Sequence, residues 1–259
     1  MSNRPVFLLT DFGPDSGYVG QMKAVIHALS PKSVILDLAH DIPAQNVTAA
    51  ALLLSVSFNL LPNKSVVVAV VDPGVGSDRK IIAMSLPRGI TLIAPDNGLA
   101  YVGALIQEGR NTQTVEVTNA KLFRHNPSPV FHGRDIFAPV AARVAKGLAL
   151  EKLGPAIEND KLETLDWPAM SLKPTAIYGE VIYVDRFGNA VTNIDGQTLH
   201  SQKFSTVKAV GKKWPLVTHY AEVPLGARVA LVGSFGLLEL AVRNGSAKLK
   251  VGDRVEIKP

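Results

Sequence analysis

The chain has 259 residues, of which 47% are hydrophobic and 19% charged, with a net charge of +5 and no cysteine. That length allows one large domain or two small ones, and the apolar content supports a folded core rather than disorder. The lack of cysteine excludes disulfides and thiolate metal sites, and no apolar run is long enough to cross a bilayer. Residues 1–5 lead straight into a strand-like run with no signal-peptide pattern, so a cytoplasmic protein with no membrane partner is expected. The basic residues are scattered and few aromatics stand near them. No purely basic run exceeds two residues, as at Lys212-Lys213, so no nucleic-acid partner is expected.

Residues 6–9 predict a buried strand ending in Thr10-Asp11-Phe12-Gly13. Val19, Met22, Ile26 and Leu29 share one face of a predicted helix over 18–29, which Pro31 stops. A second strand, 34–38, ends in Ala39-His40-Asp41, and the Ala- and Leu-rich segment 46–61 reads as a buried helix. The unbroken apolar run 66–71 ends abruptly at Asp72-Pro73-Gly74, the pattern of a strand buried on both faces. Strands at 80–84 and 91–94 follow, then Asp96-Asn97-Gly98, a short helix over 99–107 closed by Gly109, a strand at 114–117, and an amphipathic helix over 135–146.

Alternation of strand and helix to about residue 150 predicts an α/β domain, residues 1–165, with a sandwich-like build around a mainly parallel sheet. Residues 150–175 carry Pro155, Pro168 and Pro174 and read as a linker. Short strands at 176–184, 190–194, 206–210, 228–232, 237–241, 248–251 and 254–257 then predict a small all-β barrel or sandwich, residues 175–259. Asp11, His40, Asp72 and Asp96 each follow a strand. If those strands are parallel, the four gather at the edge where open α/β sheets place ligands.

Arg79 stands seven residues after Asp72, across a Gly-rich loop, and His132 lies in the loop before the 135–146 helix. An Asp, an Arg and a His together can hold one water: Arg stays cationic, and His or Asp receives or relays a proton. The plainer alternative makes Asp135 a helix N-cap and His132 an ordinary loop residue. Asp11 at its strand end suits the vicinal hydroxyls of a ribose, while neither GxGxxG nor a Walker loop is present to cradle phosphate. The turns 185–189 and 233–236 each combine a polar side chain with an aromatic, the pairing that stacks on a purine and bonds its edge.

TDFG…YVG (10–20), HDIP (40–43), VDPGVG (71–76), APDNG (94–98), FHGRDIFAP (131–139), DxFGN (185–189) and SFG…LExAV (234–242) together resemble the S-adenosylmethionine hydrolases, also called hydroxide adenosyltransferases, which are relatives of the fluorinase and chlorinase. The resemblance implies cleavage of S-adenosylmethionine by water into adenosine and L-methionine, with no cofactor and no metal. It implies that the all-β domain is a barrel, and that the protein is a homotrimer whose sites lie between one subunit's N-terminal domain and a neighbour's C-terminal domain. It places the water-activating trio on Asp72, Arg79 and His132 and the ribose contact on Asp11. It assigns the methionine part to Asp185 and Ser234, and the adenine side to Phe187, Asn189 and Tyr220. Phe131, Val242 and Asn244 line the same pocket. Ser16, Gly233 and Arg243 depart from the commoner Asp, Asn and Asn. Water attacking ribose C5′ in line with the sulfonium expels a neutral thioether, so no acid is needed on the leaving side. The rival readings are a halogenase acting at the same carbon, a non-catalytic nucleoside-binding protein, and a metal hydrolase built from Asp11, His40, Asp72 and His132.

Overall fold

Two strands that are buried at every position require cover on both faces of a sheet, and the first half of the chain supplies it. The computed structural model describes residues 3–101, 103, 112–173, 175–200 and 206–258. The chain divides into two units, Met1–Leu165 and Asp166–Pro259. In the first, β1 (Val6–Thr10), β2 (Ile35–Ala39), β3 (Val66–Val70), β4 (Ile81–Ser85), β5 (Thr91–Pro95), β6 (Gln113–Glu116) and β7 (Ala156–Ile157) form one sheet in the order β2-β1-β3-β5-β4-β6-β7. β1 and β3 are buried throughout. Leu8, Val66, Val68 and Val70 share a core with Val19, Met22 and Ile26 of α1 (Gly17–Leu29) and with Val140, Ala141 and Val144 of α3 (Ala138–Ala145). The alternate residues Phe7, Leu9, Val67 and Ala69 point to the opposite face and are equally buried. There α2 (Val47–Ser57) packs against β1. Each fully buried valine or leucine contributes about 1.5–3 kcal/mol.

β2, β1, β3 and β5 are mutually parallel, whereas β4, β6 and β7 continue the sheet antiparallel. The link from β4 to β5, residues 86–90, is too short for a crossover and forces the reversal. The four parallel strands end on one edge, which places His40, Asp11, Asp72 and Asp96 along it in that order. The predicted helix over 99–107 falls mostly outside the described residues. The expected linker is more ordered than its prolines suggested: Ala156 and Ile157 add β7 to the sheet by pairing with Val115 and Thr114.

The second unit comprises β8 (Ser171–Lys173), β9 (Ala176–Val184), β10 (Ala190–Asp195), the short helix α4 (Gly196–His200), β11 (Thr206–Ala209), β12 (Lys212–Pro215), β13 (Arg228–Val232), β14 (Leu237–Val242) and β15 (Arg254–Lys258). Their order is β12-β11-β15-β9-β10-β14-β13, with β8 on the flank of β9. A bridge between Leu216 and Ala230 brings the two ends together, so the antiparallel sheet is barrel-like and nearly closed. The strand expected at 248–251 is absent. Lys248 adopts φ 55° and Lys250 N donates to Asp253 Oδ2 at 2.9 Å, which turns the chain before β15. Trp214, 1% exposed, fills the barrel core beside Ile177, Leu240 and Ile257. Trp214→Ala is expected to cost about 3–5 kcal/mol in denaturant unfolding, the usual penalty of an emptied aromatic site.

Candidate active site

The loop after β3 is built to fold back on itself. Pro73 cannot continue the sheet, Val75 N donates to Asp72 O at 3.2 Å, and Ser77 N donates to Gly74 O at 3.0 Å. Asn97 Nδ2 holds the Val71 carbonyl at 2.9 Å and fixes the strand end. Arg79 returns to Asp72, with Nε donating to Oδ1 at 2.9 Å and Nη2 to Oδ2 at 2.5 Å. The two side chains are 10% and 5% exposed. Nη2 also lies 2.7 Å from His132 Nδ1. The structure thus brings together the three residues singled out in the sequence. Gly76 makes their meeting possible. Its φ is +82°, and a Cβ there would stand 2.7 Å from the Pro129 carbonyl, so only glycine lets this loop touch the one carrying His132.

His132 is the N-cap of a π-helical turn, Gly133–Phe137, that runs into α3. Such single turns often mark functional sites. Asp135 is not the N-cap anticipated from the sequence. It lies inside the turn and reaches back over the preceding loop, accepting from Arg134 Nε at 2.7 Å, Arg124 Nη1 at 2.9 Å and Ser128 N at 2.9 Å. The bonds from Arg134, reinforced by those from Ser128 and Arg124, hold its carboxyl well below the ordinary range against the opposing effect of burial. This clamp ties down residues 124–135, and His132 with them.

A guanidinium has no lone pair to offer, so in the Arg79–His132 contact Arg79 is the donor and Nδ1 the acceptor. The ring proton therefore sits on Nε2. Burial, and then the charge of Arg79, lower the pKa of His132, and Asp72 offsets this only in part. His132 is held neutral in one tautomer.

Asp72 and His132 open on a cleft of about 330 Å³ that is also lined by Asp11, Phe12, Tyr18 and Phe131. Arg79 is not on its wall; it stands behind Asp72 and His132. Asp11 lines the cleft, and its Oδ2 accepts from Gln45 N at 2.7 Å, which orients the carboxylate and leaves Oδ1 available as an acceptor. Phe12, Tyr18 and Phe131 pack edge to face, with ring centroids 5.0–5.8 Å apart. Phe12 and Tyr18 were not among the expected site residues, although both belong to the TDFG…YVG motif.

In the second unit, Phe187, Asn189, Tyr220, Val242 and Asn244 line one cleft of about 440 Å³. Ser234 is not on its wall. Asp185 is engaged by its own turn: Oδ1 accepts from Phe187 N at 2.8 Å and Asn189 N at 2.9 Å, and Oδ2 from Asn189 Nδ2 at 3.0 Å. Asn189 thereby keeps Oδ1 as an acceptor.

Two of the strand-end residues have structural work. Asp96 accepts from Glu163 N at 3.0 Å. His40 lies between Thr10 Oγ1, 2.8 Å from Nδ1, and Asp37 Oδ1, 2.9 Å from Nε2. Among the described residues no group of three His, Cys, Asp or Glu side chains is arranged to hold a metal ion. None of the described helices is long and apolar enough to cross a membrane.

Residues 6–154 match the family model of the SAM hydroxide adenosyltransferase N-terminal domain, and residues 179–256 that of its C-terminal domain. An (R)-S-adenosyl-L-methionine hydrolase of Thermus thermophilus is 40% identical over 254 residues, 96% of each chain. One from Salinispora arenicola is 36% identical, covering 95% of this chain and 94% of its own. The crystal structure of an uncharacterized conserved protein from Thermotoga maritima superposes with a TM-score of 0.89 at 36% identity, covering 98% of this chain and 100% of that one.

Two outcomes follow from the loop contacts. Gly76→Ala should push the 72–79 loop off Pro129 and lower stability by more than about 1 kcal/mol, read by chemical denaturation. Asp135 has a depressed folded pKa, so its contribution is present above the ordinary carboxylate range and fades as pH falls through that range toward the folded value. Asp135→Asn should lose roughly 2 kcal/mol at pH 7, and the gap in Tm from the parent should narrow as the pH is taken down to 3.

Proposed function

The chain belongs to the SAM hydroxide adenosyltransferase family, and from that premise we infer that it hydrolyses S-adenosyl-L-methionine to adenosine and L-methionine. The observation that carries the reading to particular residues is the buried Asp72–Arg79–His132 interlock facing a cleft that also holds Asp11. We propose that the nucleophilic water sits between Asp72 and His132. The Nε2–H of His132 donates to the water oxygen, and a lone pair of Asp72 accepts one of its protons. The second oxygen lone pair attacks ribose C5′ while the C5′–S bond breaks. Both electrons of that bond stay on sulfur, which becomes the neutral thioether of methionine. The proton leaves through Asp72.

Arg79 acts from behind in this scheme. Its buried charge stabilises oxygen as it gains hydroxide character and holds both partners in register. Asp11 Oδ1 takes a ribose hydroxyl. Phe187 and Tyr220 offer faces to the adenine, and the Oδ1 acceptor of Asn189 suits its amino group. The carboxylate of Asp185 is already committed to its turn, so any contact to the methionine part uses its remaining lone pairs. Adenosine bears no phosphate, in keeping with the missing phosphate loop.

The names of the relatives specify an R form together with L-methionine. With the α-carbon fixed as L, the stereocentre left to vary is the sulfonium, so the R sulfonium epimer is the proposed substrate. Family resemblance further supports a homotrimer in which the cleft of the first unit is completed by the second unit of a neighbour, located in the cytoplasm.

Incubation with S-adenosylmethionine in heavy-oxygen water should place the label in the 5′-hydroxyl of the released adenosine. Intact substrate, or unlabelled adenosine, would overturn the proposal. A 5′-chloro product formed in added chloride would favour a halogenase. Arg79→Lys, which loses the forked geometry, and His132→Ala should each lower kcat by about 10²-fold or more. Because the pKa of His132 is lowered and its neutral form is the active one, kcat/KM should stay level through neutral pH. It should fall only below the ordinary histidine value of about 6.5.

A further inference from the structure

Glu239 is a buried carboxylate that the reaction as derived does not use. It sits on β14 between the fully buried Leu238 and Leu240 and is itself 7% exposed. A charge placed there is costly unless it is bonded. Among the described residues its partner is Tyr220, whose phenol donates to Glu239 Oε1. Tyr220 also forms part of the cleft wall with Phe187 and Asn189 and is 40% exposed. Burial, and then this hydrogen bond, push its phenol above the ordinary range, so it remains the donor at any physiological pH.

The backbone that carries Tyr220 is a short surface turn, Tyr220–Glu222. Its backbone is held by exposed bonds from Thr218 N and Thr218 Oγ1 to Glu222 Oε1, at 2.7 Å and 2.5 Å, and by Arg243 Nη1, which donates to Val223 O at 2.6 Å; none of these touches the Tyr220 side chain. Such a turn does not by itself fix a half-exposed ring. The anchor on the barrel strand does, because it pins the far end of the side chain to a rigid element. Gly233 leaves space for that anchor: a Cβ there would stand 2.7 Å from Glu239 Oε2.

We propose that Glu239 is a positioning residue for nucleoside binding, locking the Tyr220 ring in the orientation that presents its face to the purine. The inference rests on reading this cleft as the nucleoside side of the site. Its readout is adenosine affinity, which needs no turnover.

The test compares Tyr220→Phe, Glu239→Leu, Glu239→Gln and the double variant Tyr220→Phe/Glu239→Leu, using calorimetric adenosine binding together with KM and kcat. Tyr220→Phe and Glu239→Leu should each weaken adenosine binding by about tenfold, the scale of one buried charged hydrogen bond, and KM should rise by more than kcat falls. Glu239→Gln keeps an acceptor for the phenol and should stay within about threefold of the parent. The double variant should be no worse than either single one. Parent-like adenosine affinity in Tyr220→Phe would overturn the proposal even if Glu239→Leu fails to fold. So would losses that add in the double variant, or Glu239→Gln as damaging as Glu239→Leu. A parent that binds adenosine without cleaving S-adenosylmethionine would sink the hydrolase reading and leave this one standing.

Discussion

One guanidinium ties the site together. Arg79 forks onto Asp72 and directs the same Nη2 to Nδ1 of His132, so a single cation fixes the orientation of a carboxylate and the tautomer of an imidazole. Buried ion pairs contribute little net stability once desolvation is counted. What this one supplies is geometry. A neutral His132 with its proton on Nε2 presents a donor to the cleft, and Asp72 beside it presents an acceptor. A single water meets both needs, and Arg79 behind them favours charge building on that water. A histidine poised as an acceptor toward the cleft would demand the other tautomer, which the Arg79 contact forbids.

Everything around the trio serves to keep two sequence-distant loops in contact. Gly76 lets one loop close on the Pro129 carbonyl. Asp135, drawn down by two arginines and a backbone N–H, cinches the other. Asn97 steadies the end of β3. The parallel strands supply the common edge from which both Asp11 and Asp72 project, and the antiparallel extension β4-β6-β7 widens the platform without touching the chemistry. The second unit repeats the same logic on a different architecture, with turn residues anchored to barrel strands and side chains converging on one cleft.

Much of this was legible in the sequence, for physical reasons. A strand buried on both faces must read as unbroken apolar residues, so β3 and its abrupt end at Asp72 stood out. The strand-end carboxylates were visible as the residues that interrupt such runs. The parts that escaped depend on contacts between distant segments. Asp135 looked like a helix cap because its local context fits one; its arginine clamp appears only when residue 124 folds over it. The burial of Arg79 between Asp72 and His132 also depends on residues 53 positions apart in sequence. Residues 248–251 have strand-like composition, but a turn stabilised by Asp253 overrides it. Glu239 was visible only as part of the SFG…LExAV motif, with no role attached, since a carboxylate beside leucines in a strand reads as a solvent-facing position; the phenol of Tyr220 that it binds comes from a separate turn.

Arg79 imposes one protonation state on His132. Nitrogen-15 NMR of the His132 ring, in protein labelled at histidine, reads it directly. The predicted spectrum at pH 7 shows a protonated, pyrrole-like Nε2 and an unprotonated Nδ1 that accepts a hydrogen bond, with no change across neutral pH. Two protonated ring nitrogens at pH 7, or a proton resident on Nδ1, would contradict it.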